Sequence, residues 1–132
     1  MLLSKREDIT KIYCLLRAEN EVVADARLEK VFKLHDDFFD RNKVIPVIGN
    51  LSDDGMDQQL IANEHLKDVN VIIHSAANTS FAKIYDDVVQ KVNLNGLQQI
   101  LNWSKTLQHL ETFTYVGTAT IIGKGVTDRL IF

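Results

Sequence analysis

An internal disulfide is excluded at the outset, because Cys14 is the only cysteine in these 132 residues. It lies in the apolar run Ile12-Tyr13-Cys14-Leu15-Leu16, where a small buried hydrophobe is expected rather than a reactive thiol, and a reducing cytoplasm is the expected location. No apolar stretch is long enough to span a bilayer, and Met1-Leu2-Leu3 is followed at once by Ser4-Lys5-Arg6-Glu7-Asp8, so the long apolar core of a signal peptide is missing. An excess of positive charge is missing too. With a net charge of -3 the chain has no electrostatic footprint for nucleic acid or an anionic membrane, and neither is an expected partner. Repeats, low-complexity tracts and interdomain linkers are equally absent, leaving residues 1–132 to be read as a single, partial domain.

What remains is an ordinary globular composition, 45% apolar and 25% charged, arranged with a clear period. Four short runs rich in β-branched residues, at 11–16, 43–48, 70–73 and 112–116, read as strands. They are near-continuous rather than alternating, the pattern of strands buried on both faces of a parallel sheet. Between the first two, Leu28, Val31, Phe32, His35 and Phe39 recur at helical spacing and predict an amphipathic helix over 24–39, with His35 in its core or at its boundary. A short helix is expected over 57–67, preceded by the turn and cap residues Ser52-Asp53-Asp54-Gly55. The longest helix is expected over 85–108, with Val89, Val92, Gly96, Leu97, Ile100, Leu101 and Leu107 inward. Strand and helix alternate throughout, which argues for a doubly wound α/β fold.

In such a sheet ligands bind at the carboxyl ends of the strands. The first strand ends at Arg17, where a guanidinium suits a ribose 2′-phosphate and a carboxylate would suit a free 2′-hydroxyl; the alternative is a solvated strand-end charge. The second ends Gly49-Asn50-Leu51, either an amide and an apolar side chain flanking an adenine ring or simply a turn. The third runs into Ser75, Ala76 and Ala77, whose small side chains let the backbone pass close to a cofactor or make a tight crossing. Asn93 shares the inward stripe of the long helix, and its amide either bonds neighbouring backbone or orders groups beside an active site. The fourth strand ends Val116-Gly117-Thr118, where the Thr118 hydroxyl could bond a carbonyl oxygen as it gains charge during hydride addition. His65, His74 and His109 have no metal-ligand spacing and read as surface or loop residues, and Ser75 has no partnered base.

Taken in order, Cys14-Leu15-Leu16-Arg17-Ala18, Val47-Ile48-Gly49-Asn50-Leu51, Val71-Ile72-Ile73-His74-Ser75-Ala76-Ala77, Val92-Asn93-Leu94-Asn95-Gly96 and Tyr115-Val116-Gly117-Thr118 resemble the extended short-chain dehydrogenases. The branch they look most like is that of the thioester and fatty acyl-CoA reductases; the neighbouring sugar epimerases and dehydratases are the alternative. The resemblance implies an NAD(P)-binding Rossmann-type domain, with NADPH favoured by Arg17 and NAD as the alternative. It also implies reduction of an acyl thioester, CoA- or carrier-bound, to an aldehyde or alcohol. Cofactor contacts then fall on Arg17, Asn50, Leu51, Ser75, Ala76, Ala77 and Gly117, while Thr118 positions the carbonyl and Asn93 supports it. No metal is implied.

The family's glycine-rich phosphate turn and its Tyr-x-x-x-Lys pair are not found here: Tyr85 is followed four residues on by Val89, and Tyr115 by Ala119. Asn50 stands where Asp is usual, and Gly117 where Ser is usual. The chain is therefore expected to be a piece of an NADPH-dependent reductase, inactive by itself and with doubtful cofactor binding. The competing expectation is a non-enzymatic α/β module for binding or dimerisation. The family's first strand lies mid-sheet, so without it the chain is expected to pair 11–16 directly with 70–73, to borrow a strand in a homodimer, or to fold poorly.

Overall fold

Parallel pairing joins the four strands two by two. In the computed structural model, which describes residues 2–78 and 86–117, β1 (Ile12–Leu16) pairs with β2 (Val44–Ile48) from Ile12 opposite Val44 to Leu16 opposite Ile48. β3 (Val71–His74) pairs with β4 (Thr112–Tyr115) from Val71 opposite Thr112 to His74 opposite Tyr115. The direct pairing of 11–16 with 70–73 does not form: among the described residues there are two separate two-stranded sheets. Each strand thus has a partner on one edge. For β1 this is tolerable because all five residues are only half-buried, so its unpaired backbone groups keep some access to water.

Helices lie on both faces of β1–β2. On one, α1 (Glu21–Leu34) brings Phe32 and Leu28 against Ile12, Cys14, Val44 and Phe39. On the other, α2 (Met56–Ala62) and α4 (Leu97–Ser104) supply Met56, Leu60, Ile100 and Trp103. Tyr13, Leu15 and Val47 from the first sheet and Ile72 and Phe113 from the second pack on that same cluster. One helical layer therefore ties together two sheets that share no hydrogen bonds among the described residues, an incomplete Rossmann-like α/β fold. Burial also lifts the Cys14 thiol above its ordinary pKa, as expected of a packing residue rather than a nucleophile.

Three expectations need correction. The helix predicted over 24–39 starts earlier, at Glu21, where the Asn20 Oδ1 accepts from the Val23 N–H at 3.0 Å. It stops at Leu34 because Asp36 takes a left-handed φ of 49° and the Asp37 N–H returns to the Phe32 carbonyl at 3.0 Å, a Schellman closure. His35 is the exposed C-cap, and Phe39 reaches the core from the loop, its ring 5.4 Å from that of Phe32. The long helix runs as α3 (Asp86–Gln90), a π-helical stretch (Lys91–Gly96) and α4, ending at Ser104 rather than 108. Finally, β3 and β4 are not buried on both faces: Ile72 and His74 are buried while Val71 and Ile73 are 48% and 54% exposed, since no described helix covers that side.

Candidate functional site

The carboxyl ends of β1 and β2 are held level by the Gly49 N–H, which donates to the Leu16 carbonyl at 3.0 Å. Just beyond, Arg17 is exposed, and its carbonyl accepts from the guanidinium of Arg27 on α1. At Gly49 a Cβ would lie 2.5 Å from Met56 Cε and 2.9 Å from Leu15 Cδ1, so a side chain there would require the ends of Met56 and Leu15 to shift. Asn50 turns the chain: its Oδ1 accepts from the Ser52 N–H at 3.1 Å and the Ser52 hydroxyl at 2.8 Å. Leu51 is half-buried against the shared core.

The π-helical stretch and α4 grip the chain just beyond both sheets. At Gly96 a Cβ would lie 2.9 Å from Leu51 Cβ and 3.1 Å from the Leu51 carbonyl oxygen, so the missing side chain permits this contact. One turn on, Gln99 donates to the Asp53 carbonyl at 2.9 Å and accepts from the Asp57 N–H at 3.3 Å. Earlier in the π-helical stretch, Asn93 Oδ1 accepts from the Asn78 N–H at 2.7 Å and Asn93 Nδ2 donates to the Asn78 carbonyl at 3.0 Å. Both functions of the amide are thus spent on one backbone position at the end of the Ser75-Ala76-Ala77 loop, whose residues are exposed. A π-helical turn widens the helix locally and commonly marks a functional position. Gly96 and Gln99 escaped the sequence reading as site residues; a glycine inside a strongly helical pattern was the available signal for the first.

His74 is a correction as well, since it is buried at 6% exposure rather than a surface or loop residue. Its ring stacks on Tyr115 with centroids 5.9 Å apart, its carbonyl accepts from the Val116 N–H at 2.9 Å, and its Nε2 has no hydrogen-bond partner among the described residues. Burial lowers its pKa from the ordinary value. The unfolded chain therefore takes up this proton first, and stability should fall as pH drops from about 6.5 toward the depressed folded value, with no contribution above that window. Melts at pH 7.5 and 5.5 check this: His74→Phe should lose most of the wild-type difference, and an unchanged difference would assign it elsewhere. Gly117 is exposed, and a Cβ there would come within 2.8 Å of the Tyr115 ring. Thr118 lies outside the described residues.

Asn93, Asn78, Leu51 and Gly96 thus share one helix-bound edge, and Arg17 stands just beyond β1, its carbonyl bonded by Arg27 of α1. No cluster of potential metal ligands occurs among the described residues, and no described helix is long and apolar enough to cross a membrane. The chemistry of the donor set fits a phosphorylated nucleotide: Arg6 and Arg41 are ion-paired to Asp8 and to Asp25 and Glu29, whereas Arg17 and Arg27 form no ion pair among the described residues.

Comparison with known proteins points the same way. Residues 1–129 match the NAD-binding family model described as male sterility protein. The chain is 33% identical over 131 residues to the chloroplastic fatty acyl-CoA reductase 2 of Arabidopsis thaliana, covering 89% of this chain and 21% of that protein. It is 30% identical over 124 residues to a putative fatty acyl-CoA reductase of Drosophila melanogaster, covering 89% and 22%. To the alcohol-forming fatty acyl-CoA reductase of Simmondsia chinensis it is 29% identical over 140 residues, covering 93% and 28%. The chain therefore spans between 21% and 28% of the length of these relatives. No solved structure matches it.

Proposed function

Because this chain belongs to the NAD-binding family described as male sterility protein, we propose that it forms the adenosine side of an NADPH site within a reductase of acyl thioesters. The observation that carries the cofactor choice is Arg17, an exposed guanidinium at the carboxyl end of β1 with no ion pair among the described residues. A planar, permanently charged fork meets a 2′-phosphate through paired hydrogen bonds, and a free 2′-hydroxyl offers it much less. The substrate class rests on the fatty acyl-CoA reductases among the relatives.

In this reading each side chain at the edge has a separate task. Arg17 holds the 2′-phosphate, while Asn50 and Leu51 flank the adenine, with the Asn50 oxygen already engaged by Ser52. Ser75, Ala76 and Ala77 keep side-chain bulk away from the path of the dinucleotide, and Gly117 does the same after β4. Asn93 is a positioning residue that fixes Asn78 at the end of that loop. Thr118 donates its hydroxyl to the thioester carbonyl. NADPH, when bound, supplies the hydride that reduces that carbonyl to the aldehyde with loss of the thiol. A proton donor of the Tyr-x-x-x-Lys type is not among these 132 residues, so no turnover is expected of this chain by itself.

Titration with NADPH and with NADH, followed by nucleotide fluorescence and by melting temperature, tests the proposal. Saturable binding should favour NADPH, and Arg17→Ala should weaken NADPH about tenfold or more while leaving NADH unchanged, the scale of one charge-assisted contact. Equal affinity for the two nucleotides in the wild type would remove NADP from the reading. A second reading is favoured by the single-edged strands and by the exposed Val71, Ile73 and Val116: a non-enzymatic module that homodimerises by strand pairing. No nucleotide binding, a cooperative melt and a monodisperse dimer on gel filtration would together select it.

A further inference from the structure

We infer that Asn50 meets the adenine base with its amino group, so that the base atom it recognises is an acceptor ring nitrogen and not the 6-amino group; the inference rests on the reading above that Asn50 flanks the adenine. The direction of the Asn50 carboxamide is set by a donor that cannot reverse. The Ser52 N–H lies 3.1 Å from Asn50 Oδ1, and a backbone N–H only donates. The Ser52 hydroxyl donates to the same oxygen at 2.8 Å. An amide oxygen has two lone pairs, and Ser52 takes both. At the other end, Asn50 Nδ2 has no hydrogen-bond partner among the described residues. It is also not one of their buried side-chain atoms without a partner, which are Asp37 Oδ2 and His74 Nε2. The half-buried Asn50 thus keeps an accessible pair of N–H donors just beyond β2.

The surrounding chain holds this arrangement. The Asn50 carbonyl accepts from the Asp53 N–H at 3.0 Å, which closes a four-residue turn, and the Gly49 N–H fixes the residue before it to the Leu16 carbonyl at 3.0 Å. Gln99 of α4 bonds the Asp53 carbonyl at the far end of the turn, and Gly96 lets the helix lie against Leu51 within it. Turning the amide over would set its amino group against the Ser52 N–H, donor against donor, and strip that N–H of its acceptor. Adenine offers both kinds of edge, an amino group that donates and ring nitrogens that accept. An oxygen whose lone pairs are filled cannot accept from the 6-amino group, whereas the free Nδ2 donors match a ring nitrogen. Asn50 is therefore a specificity residue of one polarity. Aspartate, the usual residue at this position, carries no donor when ionised and would invert that polarity.

The test uses 5′-AMP, its analogue without the 6-amino group, and its 1-deaza, 3-deaza and 7-deaza analogues, in each of which one ring nitrogen is replaced by C–H. Amide shifts of the intact chain are followed on titration. For the wild type, removing the 6-amino group should leave affinity within twofold of 5′-AMP, and one of the three deaza analogues should bind about fivefold more weakly, the scale of one neutral hydrogen bond. Asn50→Asp should reverse the pattern: the deaza penalty disappears and the 6-amino group becomes worth about fivefold. A change that merely loosened the turn would weaken all five probes alike. If the wild type loses fivefold with the 6-amino group, or binds all three deaza analogues as tightly as 5′-AMP, the inference falls while the place of adenine stands. It falls equally if Asn50→Asp keeps the wild-type pattern, since another group then reads the ring. If the wild type binds none of the probes, the assignment of Asn50 and Leu51 to adenine falls with it.

Discussion

Trp103→Ala is expected to abolish the cooperative thermal transition of this chain. Trp103 is the only tryptophan and is 8% exposed in the cluster of Met56, Leu60, Leu66, Ile72 and Ile100. Truncating a buried tryptophan costs about 3–5 kcal/mol, against a total of about 5–15 kcal/mol for an ordinary domain. Here the loss should count for more than usual. Among the described residues the two sheets are each two-stranded and exchange no hydrogen bonds, so neither is stable alone; they are held as one body by the layer in which Trp103 sits. Far-UV circular dichroism against temperature provides the measurement, because it does not depend on the deleted indole. A sigmoidal melt within a few degrees of wild type would show that the two sheets are joined by something other than this cluster.

The order and type of the elements were legible because each strand is a short β-branched run and each helix carries a stripe at the 3.6-residue period. Where the reading failed, a competing local interaction had no trace in that period. Phe39 continues the stripe of Leu28 and Phe32, yet Asp36 and Asp37 close the helix first and Phe39 enters the same core from a loop. His74 follows the strand alternation of Ile72, which was the available sign that it faces inward, but its polar character made it read as a loop residue. At the site, the amide on the inward stripe was visible as Asn93 because a half-buried polar group needs partners, and two of them prove to be on Asn78. Arg27 was not visible at all. An arginine on the outer surface of a helix looks like any solvated charge until the fold returns its guanidinium to the end of β1.

Gly96→Val should separate the two halves of the site while leaving the helix itself better formed. Valine is favoured over glycine in a helix interior by roughly 0.5 kcal/mol, so local propensity alone predicts stabilisation. Against it stands the approach to Leu51, where a Cβ would lie 2.9 Å from Leu51 Cβ and 3.1 Å from the Leu51 carbonyl oxygen. Neither atom can swing aside as a side-chain end could, because one is backbone and the other is attached directly to it. Overpacking of this kind costs about 1–3 kcal/mol, which exceeds the propensity gain and leaves a net loss of about 0.5–2.5 kcal/mol. That should lower the melting temperature by roughly 5 °C with the denaturant slope unchanged. The bonds from Gln99 to Asp53 and Asp57 lie one turn further along and should loosen with it, whereas Asn93 and Asn78 lie on the other side of the glycine and should stay protected from amide exchange. Loss of protection at Asp57 with Asn78 unaffected would establish Gly96 as the contact that brings the β2 turn to the helix already clamped on the β3 loop. A variant as stable as wild type would mean that the turn after β2 yields freely and that Leu51 is not held where an adenine ring could use it.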